Sequence, residues 1–194
     1  ERTFSMAENK KLKIGIIGTG GIAGAHLANY KKFPELAEIV AGADIVPGKA
    51  KKFFDKNGMS NVRCYENHVE MLENEELDAV VIATTWITHA MIAIDAMNAG
   101  LHVGMEVGGA ASIEECWEMV RASKRSGKIC MLLENCCYCR NEMAVFNMIR
   151  QNMFGEIVHM EGGYRHDLRD EICLGRENIH GRLYNFQMRN GELY

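Results

Sequence analysis

Residues 12–29 read LKIGIIGTGGIAGAHLAN. The stretch begins with a short apolar run, Leu12, Ile14, Ile16 and Ile17, which predicts a buried strand. Gly18-Thr19-Gly20-Gly21-Ile22-Ala23 follows, and from there the apolar spacing becomes helical. This is the G-x-G-x-x-[G/A] pattern of a dinucleotide-binding turn, in the strand-to-helix setting that the pattern requires. Gly18 permits the tight turn, Gly20 lets the backbone approach a pyrophosphate, and small Ala23 lets the helix pack closely on the strand. The helix start, with Gly21 and Ile22, then points free N–H groups at the phosphates. Glycine-rich turns recur throughout α/β proteins, so the reading depends on what surrounds this one.

Downstream, strand and helix patterns alternate. Strands are predicted at 37–43, 62–65, 78–84, 101–107 and 129–133, each an apolar or β-branched run between turn signals. Helices are predicted between them: at 47–56 with Gly58 as stop, at 68–72, and through Met91, Ile94, Ala96 and Met97 to Gly100. Ser112-Ile113-Glu114-Glu115 is a capping box for a further helix ending at Gly127, with Ile113, Cys116, Trp117 and Val120 on one face. Parallel neighbours need crossover helices, so the chain reads as α/β, a Rossmann-type doubly wound parallel sheet. Beyond Asn135 the pattern changes to an amphipathic helix (Met143, Phe146, Ile149, Met153) ending at Gly155, a strand at 156–162, and a polar, aromatic stretch from Tyr164. The expected division is a polar tail at 1–11, a nucleotide domain at 12–134, and the start of a second α/β domain at 135–194. Roughly 60 residues are few for an independent core, so a chain incomplete at its C-terminal end is expected.

Composition narrows the function classes. Of 194 residues 47% are hydrophobic and 25% charged, ordinary for a globular protein. The net charge of −4 comes without a basic block, which disfavours nucleic acid and anionic membranes as partners. No run of 18 apolar residues predicts a membrane span. The first residues lack the apolar centre of a signal peptide, so a cytoplasmic chain, or one already processed after export, is expected. Seven cysteines (Cys64, Cys116, Cys130, Cys136, Cys137, Cys139, Cys173) lack disulfide-scaffold spacing and suit a reducing compartment. Cys136-Cys137-Tyr138-Cys139 invites a metal reading, but no second half-site accompanies it, and free thiols at a buried strand end are expected instead.

The chemistry should lie beyond the carboxyl ends of the strands. Asp44 ends the second strand about 20 positions past the glycine turn, where a ribose diol would be held, and its charge would repel a 2′-phosphate and favour NAD. A helix-capping aspartate before Pro47 is the alternative. Trp86 is either a flat surface at the cofactor edge or a core residue. His89, on the same helical face, is either a ligand-facing donor or a first-turn residue. Glu106 and Glu134 both follow strands; they form an acid/base pair for glycoside hydrolysis or each orders its own loop. Tyr164-Arg165-His166-Asp167-Leu168-Arg169 places a phenol and an imidazole on one side of a strand end, as a base and its partner or as a solvated turn.

From Lys11 onward these segments resemble the glucose-fructose oxidoreductase/inositol dehydrogenase family. Glu106-Val107, the run from Met131 to Tyr138, the run from Phe154 to His159 and the run from Gly163 to Arg169 resemble one branch in particular, the NAD-dependent α-N-acetylgalactosaminidases. Val107 stands where the oxidoreductases usually carry a lysine that serves hydride transfer, which disfavours a lysine-assisted sugar or cyclitol dehydrogenase, the alternative function. The resemblance implies a redox-neutral hydrolysis of a glycoside or glycan terminus with NAD recycled in each turnover: transient oxidation at sugar C3, loss of the C2 proton and of the C1 oxygen, water addition and re-reduction. It implies NAD contacts at Gly18, Gly20, Gly21, Ile22, Asp44, Trp86, His89, Glu106, Val107, Asn135 and Tyr194. It further implies Tyr164 as C2 base with His166 beside it, and substrate contacts at Tyr164, Arg182 and Tyr194. Thr85 and Gly108 replace prolines usual in the family, a change expected to loosen the cofactor pocket, and Gly181 replaces a tryptophan. The family continues past the position of Tyr194 with a Pro-Thr-His-Gly segment whose histidine assists catalysis. A fragment that binds NAD without turnover is therefore a third possibility. Relatives are often exported by bacteria, and a homo-oligomer is compatible with the resemblance.

Overall fold

Six strands, β1 (Leu12–Ile17), β2 (Ala37–Ala43), β3 (Arg63–Tyr65), β4 (Ala79–Ile82), β5 (His102–Met105) and β6 (Cys130–Leu132), form one sheet in the order β3-β2-β1-β4-β5-β6. Every neighbouring pair is parallel. The structure, a computed structural model, describes residues 10–163, 165 and 167. Helices α1 (Gly21–Tyr30), α2 (Lys49–Lys56), α3 (His68–Asn74), α4 (Trp86–Asn98) and α5 (Ile113–Ser126) make the crossovers, and α6 (Arg140–Arg150) follows β6. The strand order reverses between β1 and β4, which opens a crevice at their carboxyl ends.

The sheet buries both faces, which is why its strands read as nearly continuous apolar runs. One core joins Ile14, Ile16, Val81 and Ala83 to Leu27 of α1 and Phe54 of α2. The other joins Ile17, Val80 and Ile82 to Met71 of α3, Ala93 and Met97 of α4, and Ala122 of α5. Alternation along β2 is broken: Ile14 pairs with Ile39 but Gly15 with Ala41, so Val40 is an extra residue. The bulge moves β2 from one core to the other, with Ile39 on the α1/α2 side and Ala41 on the opposite side.

The helix signals act as read, with shifted ends. Ser112 Oγ accepts from Glu115 N at 3.1 Å, and Gly127, at φ 69°, closes α5. The Asn67 side chain accepts from Val69 N at 2.8 Å and starts α3. The helix predicted from residue 47 begins at Lys49, and α6 ends at Arg150, where Asn152 turns the chain at φ 56°.

Three expectations are corrected. The apolar side of α5 faces outward: Ile113, Trp117 and Val120 are exposed, and the helix docks through small Ala122 and half-buried Met119. Residues 156–162 form no strand, because no strand among the described residues pairs with them. The segment after β6 is exposed at Cys136, Cys137 and Cys139, so those thiols do not surround a buried strand end.

Phe54 is fully buried at the centre of its core. Phe54→Ala should lower stability by about 3–5 kcal/mol in urea titrations monitored by circular dichroism.

Candidate functional site

The glycine turn is wedged into the crevice. Gly18 has φ 88°, and its N–H donates to Ala43 O at the end of β2 at 2.8 Å. A Cβ at this position would lie 2.6 Å from Ala83 O, just past β4. Only glycine meets both demands. At Gly20 and Gly21, by contrast, a Cβ would meet nothing within 4 Å. Gly20 is the N-cap of α1 and makes no side-chain cap, so the first N–H groups of the helix open toward the crevice beside exposed Ile22. Ala23 is fully buried, as close helix–strand packing requires. An uncapped helix start above an uncluttered backbone fits a pyrophosphate.

Asp44 is buried at the turn and held from four directions. Its Oδ2 accepts Thr19 N at 2.9 Å and Thr19 Oγ1 at 2.7 Å, and lies 2.9 Å from Lys49 Nζ; its Oδ1 accepts Val46 N at 3.1 Å. Burial works against the carboxylate charge, but these bonds outweigh it and hold Asp44 below its ordinary range. The remaining acceptor capacity lies on Oδ1. Thr19 and Lys49 were not marked by the sequence reading. Thr19 is simply a variable position of the glycine pattern, and Lys49 puts a cation beside the carboxylate expected to repel a 2′-phosphate.

Across the crevice, Thr84-Thr85 leads into α4. Thr85 is the N-cap at φ −77°, and its carbonyl accepts from Thr88 N at 3.0 Å and Thr88 Oγ1 at 2.8 Å. Trp86 opens the helix with 7% exposure, and Gly108 lies against its indole: at φ 93°, a Cβ on Gly108 would be 2.4 Å from the ring. The two positions where the family usually has proline take different backbone conformations. Thr85 keeps a proline-like φ, and its carbonyl takes the same bonds a proline carbonyl could, while Gly108 adopts a φ closed to proline and packs on Trp86.

His89 is fully buried, and its Nε2 donates to Thr84 O at 3.1 Å. Burial holds it below the usual imidazole range, so it stays neutral with its proton on Nε2. The bare Nδ1 faces the Glu106 backbone without forming a hydrogen bond. His89 thus ties the first turn of α4 back to the end of β4.

Glu106 follows β5 and is mostly enclosed. Its Oε1 lies 2.6 Å from Nε2 of His26 in α1, and its Oε2 accepts Val107 N at 3.2 Å. Burial raises its pKa, but the His26 bond, the Val107 N–H and the nearby imidazoles bring it below the ordinary value. Glu134 accepts from the N–H of exposed Asn135 at 2.9 Å. Each carboxylate thus accepts a hydrogen bond from the backbone N–H of the residue that follows it. The sequence carried one signal for His26: it lies three residues past Ala23, on the sheet-facing side of α1.

The described structure thus brings Gly18, Gly20, Gly21, Ile22, Asp44, Trp86, His89, Glu106 and Val107 to the carboxyl edge of the sheet, with Asn135 after β6. Tyr164, His166, Arg182 and Tyr194 lie outside the described residues. Among the described residues no cluster of His, Cys, Asp or Glu could hold a metal ion, and no helix is long and apolar enough to cross a membrane.

A parallel sheet reversing beside an uncapped glycine turn defines a dinucleotide-binding domain. The chain belongs to the Gfo/Idh/MocA oxidoreductase family, whose NAD-binding Rossmann-fold model matches residues 12–134. A second model, the glycosyl hydrolase 109 C-terminal domain, matches residues 138–192. Among curated relatives, a glycosyl hydrolase family 109 protein of Solibacter usitatus is 37% identical over 98% of this chain and 45% of its own length. An α-N-acetylgalactosaminidase of Tannerella forsythia is 41% identical over 82% of this chain and 36% of its own length. The chain thus spans less than half the length of these relatives. Among solved structures, the WlbA dehydrogenase of Bordetella pertussis in complex with NADH and UDP-GlcNAcA superposes with a TM-score of 0.70 at 27% identity, covering 75% of this chain and 44% of that one.

Asp44, with its pKa depressed in the folded protein, contributes stability above its unfolded pKa and loses it as pH falls through its folded one. Asp44→Asn should cost about 1.5–3 kcal/mol at neutral pH. The gap from the unsubstituted protein should close on acidification, as urea titrations across the acid range will show. Gly108→Ala should displace Trp86, cost about 1–3 kcal/mol, and shift indole emission to the red.

Proposed function

We propose that the protein is an NAD-dependent glycoside hydrolase acting on terminal α-linked N-acetylgalactosamine. The observation that carries this reading is the joining, in one chain, of an NAD-binding Rossmann domain at 12–134 to a glycosyl hydrolase 109 domain at 138–192. The name of the Tannerella forsythia relative supports the choice of sugar.

In this reading the glycine turn seats the pyrophosphate, Asp44 takes the adenosine ribose, and Trp86, Glu106, Val107, Asn135 and Tyr194 enclose the other half of the cofactor, with His89 tying the first turn of α4 to the end of β4. NAD, when bound, supplies a hydride acceptor and donor for sugar C3, with no net change over a cycle. Tyr164 removes the C2 proton, made acidic by the adjacent ketone, as the glycosidic oxygen leaves C1, and His166 stands beside it as proton partner. Arg182 and Tyr194 hold the sugar. The roles of Tyr164, His166, Arg182 and Tyr194 rest on the sequence resemblance.

A sugar dehydrogenase with net NAD turnover is the second reading, favoured by the likeness to the WlbA dehydrogenase. Val107 counts against it, since an apolar side chain cannot assist proton transfer where the resemblance places a lysine. Incubation with an aryl α-N-acetylgalactosaminide in D2O separates the two. The hydrolase reading expects aglycone release, deuterium at sugar C2 and no net NADH. NADH accumulation without aglycone release would overturn it.

A further inference from the structure

His26 and Glu106 come from different parts of the fold and meet at the candidate site. His26 lies in α1, on the far side of the glycine turn, and Glu106 follows β5, two strands away from β1 in the sheet. Nε2 nevertheless lies 2.6 Å from Oε1, with only 19% and 14% of the two side chains exposed. A bond this short between an imidazole and a carboxylate is in the charge-assisted range. The other carboxylate oxygen is engaged by Val107 N, so Glu106 is fixed from both sides. A fixed, ionised carboxylate at the carboxyl edge of β5 is an acceptor prepared for the hydroxyl and amide donors of a dinucleotide.

We infer that His26 is a positioning residue for the cofactor: its Nε2 bond holds the Glu106 carboxylate in the orientation in which it accepts hydrogen bonds from bound NAD. The inference rests on the assignment of Glu106 to the cofactor in the proposed function. A mere tie between α1 and β5 would stabilise the fold without affecting the affinity of the folded protein for NAD at neutral pH. The groups that face Glu106 are His26 from α1, His89 from α4 and the Val107 N–H from its own loop. Removing His26 takes away the principal contact favouring the Glu106 anion. Glu106 then protonates at higher pH, and NAD affinity is lost earlier on acidification.

The test is direct binding of NAD+ and NADH by calorimetry, across the acid range, with melting curves for every variant. His26→Ala should weaken binding on the order of tenfold at neutral pH and move the acid midpoint of binding upward. His26→Gln, which keeps an N–H donor, should recover most of the neutral-pH affinity. Glu106→Gln should weaken binding at least as much, and adding His26→Ala to it should change little further. If His26→Ala does not fold, His26→Met, similar in volume and without a donor, gives the same comparison against His26→Gln. Wild-type affinity and an unmoved acid midpoint in the donor-less variant, with Glu106→Gln still weakened, would overturn the role of His26 alone. Unaltered binding by Glu106→Gln would overturn the assignment of Glu106, and the inference with it.

Discussion

The structure turns on one backbone constraint, the left-handed conformation of Gly18 between two strand ends. Its N–H is spent on Ala43 O, and Ala83 O leaves no room for a Cβ, so the turn is fitted to the ends of β2 and β4 at once. Those strands flank β1 on either side, and the sheet order reverses between β1 and β4. A side chain at position 18 would push these ends apart, and the start of α1 would lose its place. Thr19 adds a second lock, since its backbone and side chain both donate to Asp44. The acidic residue that reads as a cofactor contact is therefore also part of what shapes the cofactor's cradle. Substitution at Asp44 mixes the two roles, so only measurements of stability and of affinity together can separate them.

The fold was legible because its signals are local. A strand buried on both faces must be apolar throughout, as 79–82 is, and a helix must start and stop, as Ser112 and Gly127 make α5 do. Where tertiary packing decides, the pattern misled. The apolar stripe of α5 suggested the buried face, yet the helix docks through Ala122, whose small size permits close approach but carries little hydrophobic signal. At 156–162 alternation alone predicted a strand, but a strand also needs a partner to take its backbone hydrogen bonds, and the described residues offer none.

The site was legible to a different depth. The glycine spacing and the strand-end positions of Asp44, Trp86 and Glu106 follow from the chain order of a doubly wound sheet. The bonds that hold them do not. Thr19 reaches Asp44 across 25 positions and His26 reaches Glu106 across 80, and nothing local in a single sequence marks either pair. Position 108 shows the same limit from the other side. Judged against the family resemblance, a glycine in place of proline reads as lost rigidity. In the fold it is the residue that lets the chain lie on the Trp86 ring, at a φ that proline cannot adopt.

Val107 and His26 belong to one electrostatic argument. A carboxylate enclosed as Glu106 is must be stabilised by something, because burial disfavours its charge. A lysine at position 107 would have offered a neighbouring cation; valine offers only its N–H, at 3.2 Å. The balance is supplied instead from α1, by the His26 side chain, whose Nε2 lies 2.6 Å from Glu106 Oε1.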